Sequence, residues 1–175
     1  VAEISDKKNM HGHSGLDPHI WLSPKLVKIQ AQNMFKGLAE VYRAQANNFK
    51  TNLDAFNEEL DSLHSEIKNK LSGLFNRRFV TFHPSWGYFA DEFGLEQIAI
   101  EVEGKEPAPG ELSGIIKYLK NENLKVIFVQ PQFSVKAAET IAKEIGGRIE
   151  RIDPLPENYY ESLTSASNKI YEALK

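Results

Sequence analysis

Apolar positions along this chain follow two rhythms. Between about 24 and 74 they recur at helical spacing: Val27, Met34, Leu38 and Val41, then Phe49, Leu53, Phe56, Leu60, Leu63, Ile67, Leu71 and Leu74. Steps of three and four put these residues on one face of an amphipathic helix. Ser23 is a good cap, and Pro24 suits the first turn, where its missing N–H costs nothing. Gly73 is a plausible stop. The pattern predicts helix over nearly all of 24–73, bent or broken near Ala44 to Asn48. Such a helix would run along one lobe or join two.

Beyond residue 76 the rhythm changes. Four β-prone runs appear at 78–82, 95–102, 125–129 and 148–152, the strongest being Lys125-Val126-Ile127-Phe128-Val129. Helical stretches at 84–93, 110–122, 134–145 and 157–174 alternate with them. Ser134 could open one of these helices and Gly146-Gly147 closes it. Strands alternating with helices predict an α/β fold, a parallel four-stranded sheet flanked by helices. Residues 1–16 show no period, and Gly12 and Gly15 break any helix there. The expected organisation is therefore a loose arm (1–16), a segment dominated by the long helix (17–75) and an α/β lobe (76–175).

Composition narrows the chemistry. The net charge of -3 over 175 residues, without a basic block, argues against a nucleic-acid partner. The chain has no cysteine, so disulfides, thiolate metal sites and cysteine nucleophiles are all excluded. Any metal must be held by nitrogen and oxygen. No apolar run is long enough to span a bilayer. The beginning Val1-Ala2-Glu3-Ile4-Ser5-Asp6 is polar and lacks Met, as expected of a processed or cropped chain.

Two histidines occupy stiff turns beside helix starts. His19 lies in Asp17-Pro18-His19-Ile20-Trp21-Leu22-Ser23-Pro24, and His83 in Phe82-His83-Pro84-Ser85-Trp86-Gly87-Tyr88-Phe89. Each taken alone is more often a structural turn residue. His83, however, directly follows the first strand, and function in such sheets gathers at strand carboxyl ends. Asp153 follows the fourth strand at the same edge, and Glu157 precedes the last helix. Either carboxylate could supply an oxygen ligand, although Asp153-Pro154 also makes a turn and Glu157 also suits a helix start. His11 and His13 form a short tract that could bind metal weakly. His64 is expected on a helix flank with no role. Glu101 and Glu103 could suggest acid–base work, but they are expected to brace a charged loop near the site or to face water. Phosphate-loop, nucleophile-elbow and His-Glu-x-x-His motifs are missing.

The two histidine motifs, in this order and joined by a long helix, resemble the cluster A-I metal-binding proteins, solute receptors of zinc and manganese ABC transporters. The similarity runs from about residue 16 to the end. It also covers Glu103-Gly104-Lys105-Glu106-Pro107-Ala108-Pro109, Phe128-Val129-Gln130-Pro131-Gln132-Phe133 and Asp153-Pro154-Leu155. The resemblance implies two similar lobes bridged by a rigid helix, with the metal in the cleft. His19, His83 and Glu157 would be ligands, with a further histidine from an N-terminal lobe that this chain is expected to lack. Some zinc members use water in place of the carboxylate. Residues 1–16 would be the tail of a His-rich loop typical of zinc-type members.

Manganese receptors of the family carry glutamate where this chain has His83, and imidazole suits zinc. The expectation is therefore a Zn2+ receptor, with Mn2+ or iron as the alternative cargo. Its implied partner is an ABC permease in the membrane. Its implied place is periplasmic or extracellular, including lipid-anchored forms on the membrane surface. Two other functions compete: a zinc hydrolase built on His19, His83 and Glu157 around an activated water, and an adhesin-like surface module.

Overall fold

A computed structural model of the protein describes residues 16–101, 105, 107–132, 135–155 and 157–175. The helical region is not one rod. Helix α1 (Pro24–Val41) and helix α2 (Ala46–Ser72) are separated by a reversal at Tyr42 and a 3-10 turn, Arg43–Gln45. Tyr42 leaves the helical region (φ -114, ψ 62). The helices fold back antiparallel, and Lys28 Nζ reaches Asp61 Oδ1 at 2.6 Å across the pair. The break expected near Ala44 to Asn48 is present, and it is a full reversal that makes a hairpin rather than a bend in one rod. The physical cause lies in Arg43 to Asn48, which offer no large apolar side chain to carry a stripe through.

One correction concerns α1 itself. Met34, Leu38 and Val41 face water, whereas Ala31, Phe35 and Ala39 are half-buried. The face set by these small and aromatic residues is the sheltered one. Ser23 caps α1 as expected, its Oγ accepting from Leu26 N at 3.2 Å.

Four short strands follow: β1 (Arg78–Thr81), β2 (Glu96–Ala99), β3 (Val126–Val129) and β4 (Arg148–Arg151). They form a wholly parallel sheet in the order β2-β1-β3-β4. Between and after them come α3 (Gly87–Phe93), α4 (Pro109–Asn121), α5 (Lys136–Glu144) and α6 (Tyr159–Leu174). Alternation along the central strands divides the core into two layers. Phe79, Val126 and Phe128 pack with Leu63, Ile67 and Leu71 of α2, Phe89 and Phe93 of α3, and Leu163 and Ile170 of α6. Val80, Ile127 and Val129 pack on the other face with Leu119 of α4 and Ile141 of α5. Each fully buried large side chain contributes roughly 1.5–3 kcal/mol. Half of the hairpin therefore belongs to the same core as the sheet.

Right-handed crossovers explain this layering. The path from β1 to β2 runs one way across the sheet, and the path onward to β3 and β4 runs the other. Hence α3 covers one face, and α4 and α5 cover the opposite one. The direction reverses between β1 and β3, which opens a crevice at their carboxyl ends. Gly146 (φ +63) follows α5 in the left-handed conformation that favours glycine. Ser134, the expected opener of α5, lies outside the described residues. No described helix is long and apolar enough to cross a membrane.

Candidate metal centre

His83 sits two residues beyond Thr81, the last ladder position of β1. Phe82 N donates to Phe128 O (2.8 Å) and Phe82 O accepts from Glu101 N (2.9 Å), so both neighbouring strands fix the approach. That register brings Glu101, just past β2, beside His83. The His83 Nδ1–H donates to Glu101 Oε2 at 2.6 Å. Ser85 N returns to His83 O (3.0 Å), closing the turn. From just past β3, Gln130 Nε2 donates to the buried Ser85 Oγ at 2.6 Å.

His19 is built differently, from a local turn. Asp17 Oδ1 accepts from His19 N at 2.9 Å and from His19 Nδ1 at 2.6 Å. The backbone contact is the turn an aspartate makes with the residue two positions on. Asp17 is itself anchored, because Tyr88 Oη donates to its carbonyl (3.2 Å). Gly87 makes room for it: a Cβ there would meet Asp17 Oδ2 at 3.1 Å. After His19 the chain enters a 3-10 turn, Ile20–Leu22. Trp21 Nε1 donates to Pro154 O (2.7 Å), and Tyr159 Oη donates to Trp21 O (2.9 Å). Burial, aided by the nearby Glu92 charge, holds the Tyr159 phenol well above its ordinary range.

These two constructions bring the imidazoles together. The ring centroids of His19 and His83 lie 5.7 Å apart, with the planes at 79°. Both rings are only partly exposed, at 17% and 24%. A carboxylate can only accept, so each Nδ1 carries a proton, and in the neutral ring Nε2 is then the nitrogen with the lone pair. Two imidazoles on one tetrahedral zinc, with Nε2 at about 2.0–2.1 Å, would hold their centroids roughly 5 Å apart. A carboxylate on the far nitrogen is also the usual support of a metal-bound histidine.

The other expected residues are placed less closely. Glu157 is exposed and lines a cavity of ≈ 530 Å³ with Phe56, Glu59, Leu60 and Tyr160. Among the described residues no three His, Cys, Asp or Glu side chains gather closely enough to hold an ion, so Glu157 does not form a set with the two histidines. Asp153 stands past β4, its Oδ1 accepting from Gln132 Nε2 (2.6 Å) and Leu155 N (2.9 Å). His11, His13 and Glu103 lie outside the described residues. Asp17 went unrecognised as a brace in the sequence, although an aspartate two residues before a histidine is a usable signal. Glu101 braces the ring of His83 rather than a loop. His64 is not an idle flank residue: its Nδ1–H donates to Glu92 Oε1 at 2.6 Å.

The family model that matches this chain is one of metal-uptake proteins. The chain belongs to the ZnuA family, described as zinc-uptake complex component A, periplasmic, whose model matches residues 1–173. The zinc-binding protein AdcA of Streptococcus pyogenes (serotype M3) is 35% identical over 162 residues, which is 87% of this chain and 32% of AdcA. A crystal structure of a zinc-bound ZnuA deletion mutant superposes with a TM-score of 0.90 at 43% identity, over 96% of this chain and 65% of that one. The laminin-binding protein Lmb of Streptococcus agalactiae, described as having adhesin and metal transporting activity, gives a TM-score of 0.84 at 31% identity, over 91% and 65%. The chain thus spans between about a third and two thirds of the proteins it matches.

Proposed function

We propose that this chain is the zinc-holding lobe of a solute receptor that captures Zn2+ and passes it to the permease of a metal ABC transporter. The observation that carries this is the meeting of His19 and His83, far apart in sequence, at 5.7 Å between ring centres with each Nδ1 on a carboxylate. Nε2 of each ring would coordinate the ion. The braces fix ring orientation and raise ligand basicity, so little ordering entropy remains to be lost on binding. Imidazole pairs favour zinc over the harder manganese ion. Glu157 is the carboxylate implied by family resemblance alone, with Asp153 its rival. The receptor would act outside the cytoplasmic membrane, free in a periplasm or held by a lipid anchor.

Calorimetric titration with Zn2+ and Mn2+ tests the proposal. Zinc should bind more tightly than manganese, and His19→Ala and His83→Ala should each remove most of the zinc affinity. Unchanged zinc binding in both variants would refute it. Glu157→Gln and Asp153→Asn, titrated side by side, decide which carboxylate takes part.

A further inference from the structure

Glu92 lies near the C-terminal end of α3, where a carboxylate is disfavoured by the helix dipole. Its side chain is only 3% exposed. Three donors from two distant segments converge on it. His64 Nδ1–H of α2 binds Oε1 at 2.6 Å; on Oε2 it receives the Ser23 hydroxyl and, at 3.3 Å, Lys25 N. A sheltered charge held this way is seldom the most stabilising choice for a core, since apolar side chains of like volume often serve as well or better. What it does confer is register.

The register in question is that of the His19 segment. The Ser23 hydroxyl donates to Glu92 while accepting from Leu26 N at 3.2 Å, so one group both caps α1 and ties its start to α3. The 3-10 turn Ile20–Leu22 separates Ser23 from His19, and Ser23 N donates back to Ile20 O at 3.3 Å. The other end of α3 begins just after the His83 turn, where Gly87 meets Asp17, the brace of His19. One short helix therefore touches the His19 segment at both of its ends and follows His83 directly.

We infer that Glu92, held by His64, is a positioning residue that sets His19 relative to His83, with α3 as the gauge between them. The inference rests on the zinc-holding role proposed above, but its first readout needs no metal.

The test uses imidazole 15N NMR on the full chain without metal, followed by zinc titration. In Glu92→Ala the His19 ring resonances should shift or broaden, while those of His83 stay in place. Glu92→Gln keeps an oxygen acceptor for Ser23 and Lys25 N and should restore them. His64→Leu should act in the same direction, and His64→Asn, which returns a donor, should rescue it. His64→Leu carries the test if Glu92→Ala does not fold. Zinc affinity should fall about tenfold in Glu92→Ala, the scale expected of an outer support of a metal-binding histidine. Glu122→Ala removes the distant partner of Arg78 and is the control for general loosening. His19 resonances unmoved in the Glu92 and His64 variants, or moved equally by Glu122→Ala, would overturn the inference. Loss of zinc binding that does not depend on His19 would instead defeat the proposed function, leaving the metal-free resonances to decide this point separately.

Discussion

Three histidines in this protein make the same contact, Nδ1 to a carboxylate oxygen at 2.6 Å, in two very different settings. At the crevice, His19 and His83 face each other. At the helix junction, His64 instead lies against the ring of Phe93, centroids 5.3 Å apart. A braced imidazole by itself does not define a metal site. A second braced imidazole within reach is what the proposed site adds, and among the described residues only the strand-end crevice supplies one. The junction uses the same chemistry to hold helices in place.

The sharpest way to break that comparison is to remove one ring from each setting. His19→Ala or His83→Ala should weaken zinc binding by about 100-fold, roughly 2.8 kcal/mol at 1.4 kcal/mol per tenfold, with the melting temperature of the metal-free protein nearly unchanged. Calorimetry and thermal melts read both quantities. His64→Ala should do the reverse in emphasis. It leaves a sheltered carboxylate short of a donor and should cost about 1–3 kcal/mol of folding stability, measured by urea titration.

Next in size are the braces at the crevice. Glu101→Ala should weaken zinc about tenfold through His83 while leaving the sheet intact. Asp17→Ala should cost a similar factor and add a small stability loss, because it also removes the bond to His19 N. An unchanged affinity in both would mean that the carboxylates merely accompany the rings.

Tyr159 sharpens the comparison from the junction side. Its phenol is held above the ordinary value of 10.0 by burial. In the unfolded chain it ionises first, so above that pH the unfolded state binds fewer protons than the native state, and stability must fall as pH rises. Alkaline urea titrations should show this slope, and Tyr159→Phe should flatten it at a cost of about 1 kcal/mol for the lost bond to Trp21 O. The smallest effect belongs to the hairpin's outer surface. Met34→Ser and Val41→Ser, at 66% and 72% exposure, should each change stability by no more than about 0.5 kcal/mol.

The sheet half of the fold was readable because its signals are local. A buried run such as Val126 to Val129 between polar flanks, and helices closed by glycine, need no distant partner to be recognised. The placement of both histidines at one sheet edge followed from strand order and the family resemblance. The hairpin was not readable, because a helical stripe looks alike in one rod and in two antiparallel pieces, and contacts such as Lys28 to Asp61 bridge the reversal. The same holds for Glu101 and Glu92. Glu101 reaches His83 only through the parallel register of β1 and β2, and Glu92 reaches His64 and Ser23 only through helix packing. Glu157 was chosen from its place before the last helix, which says nothing about the direction of its side chain.

The reversal of strand order between β1 and β3 makes the crevice a property of the backbone. The notch exists because two backbone paths diverge, not because particular side chains carve it. On the zinc-holding role proposed above, a change of imidazole for carboxylate at its lip would alter which ion is welcome while the scaffold beneath stays as it was, so cargo preference and architecture could drift independently.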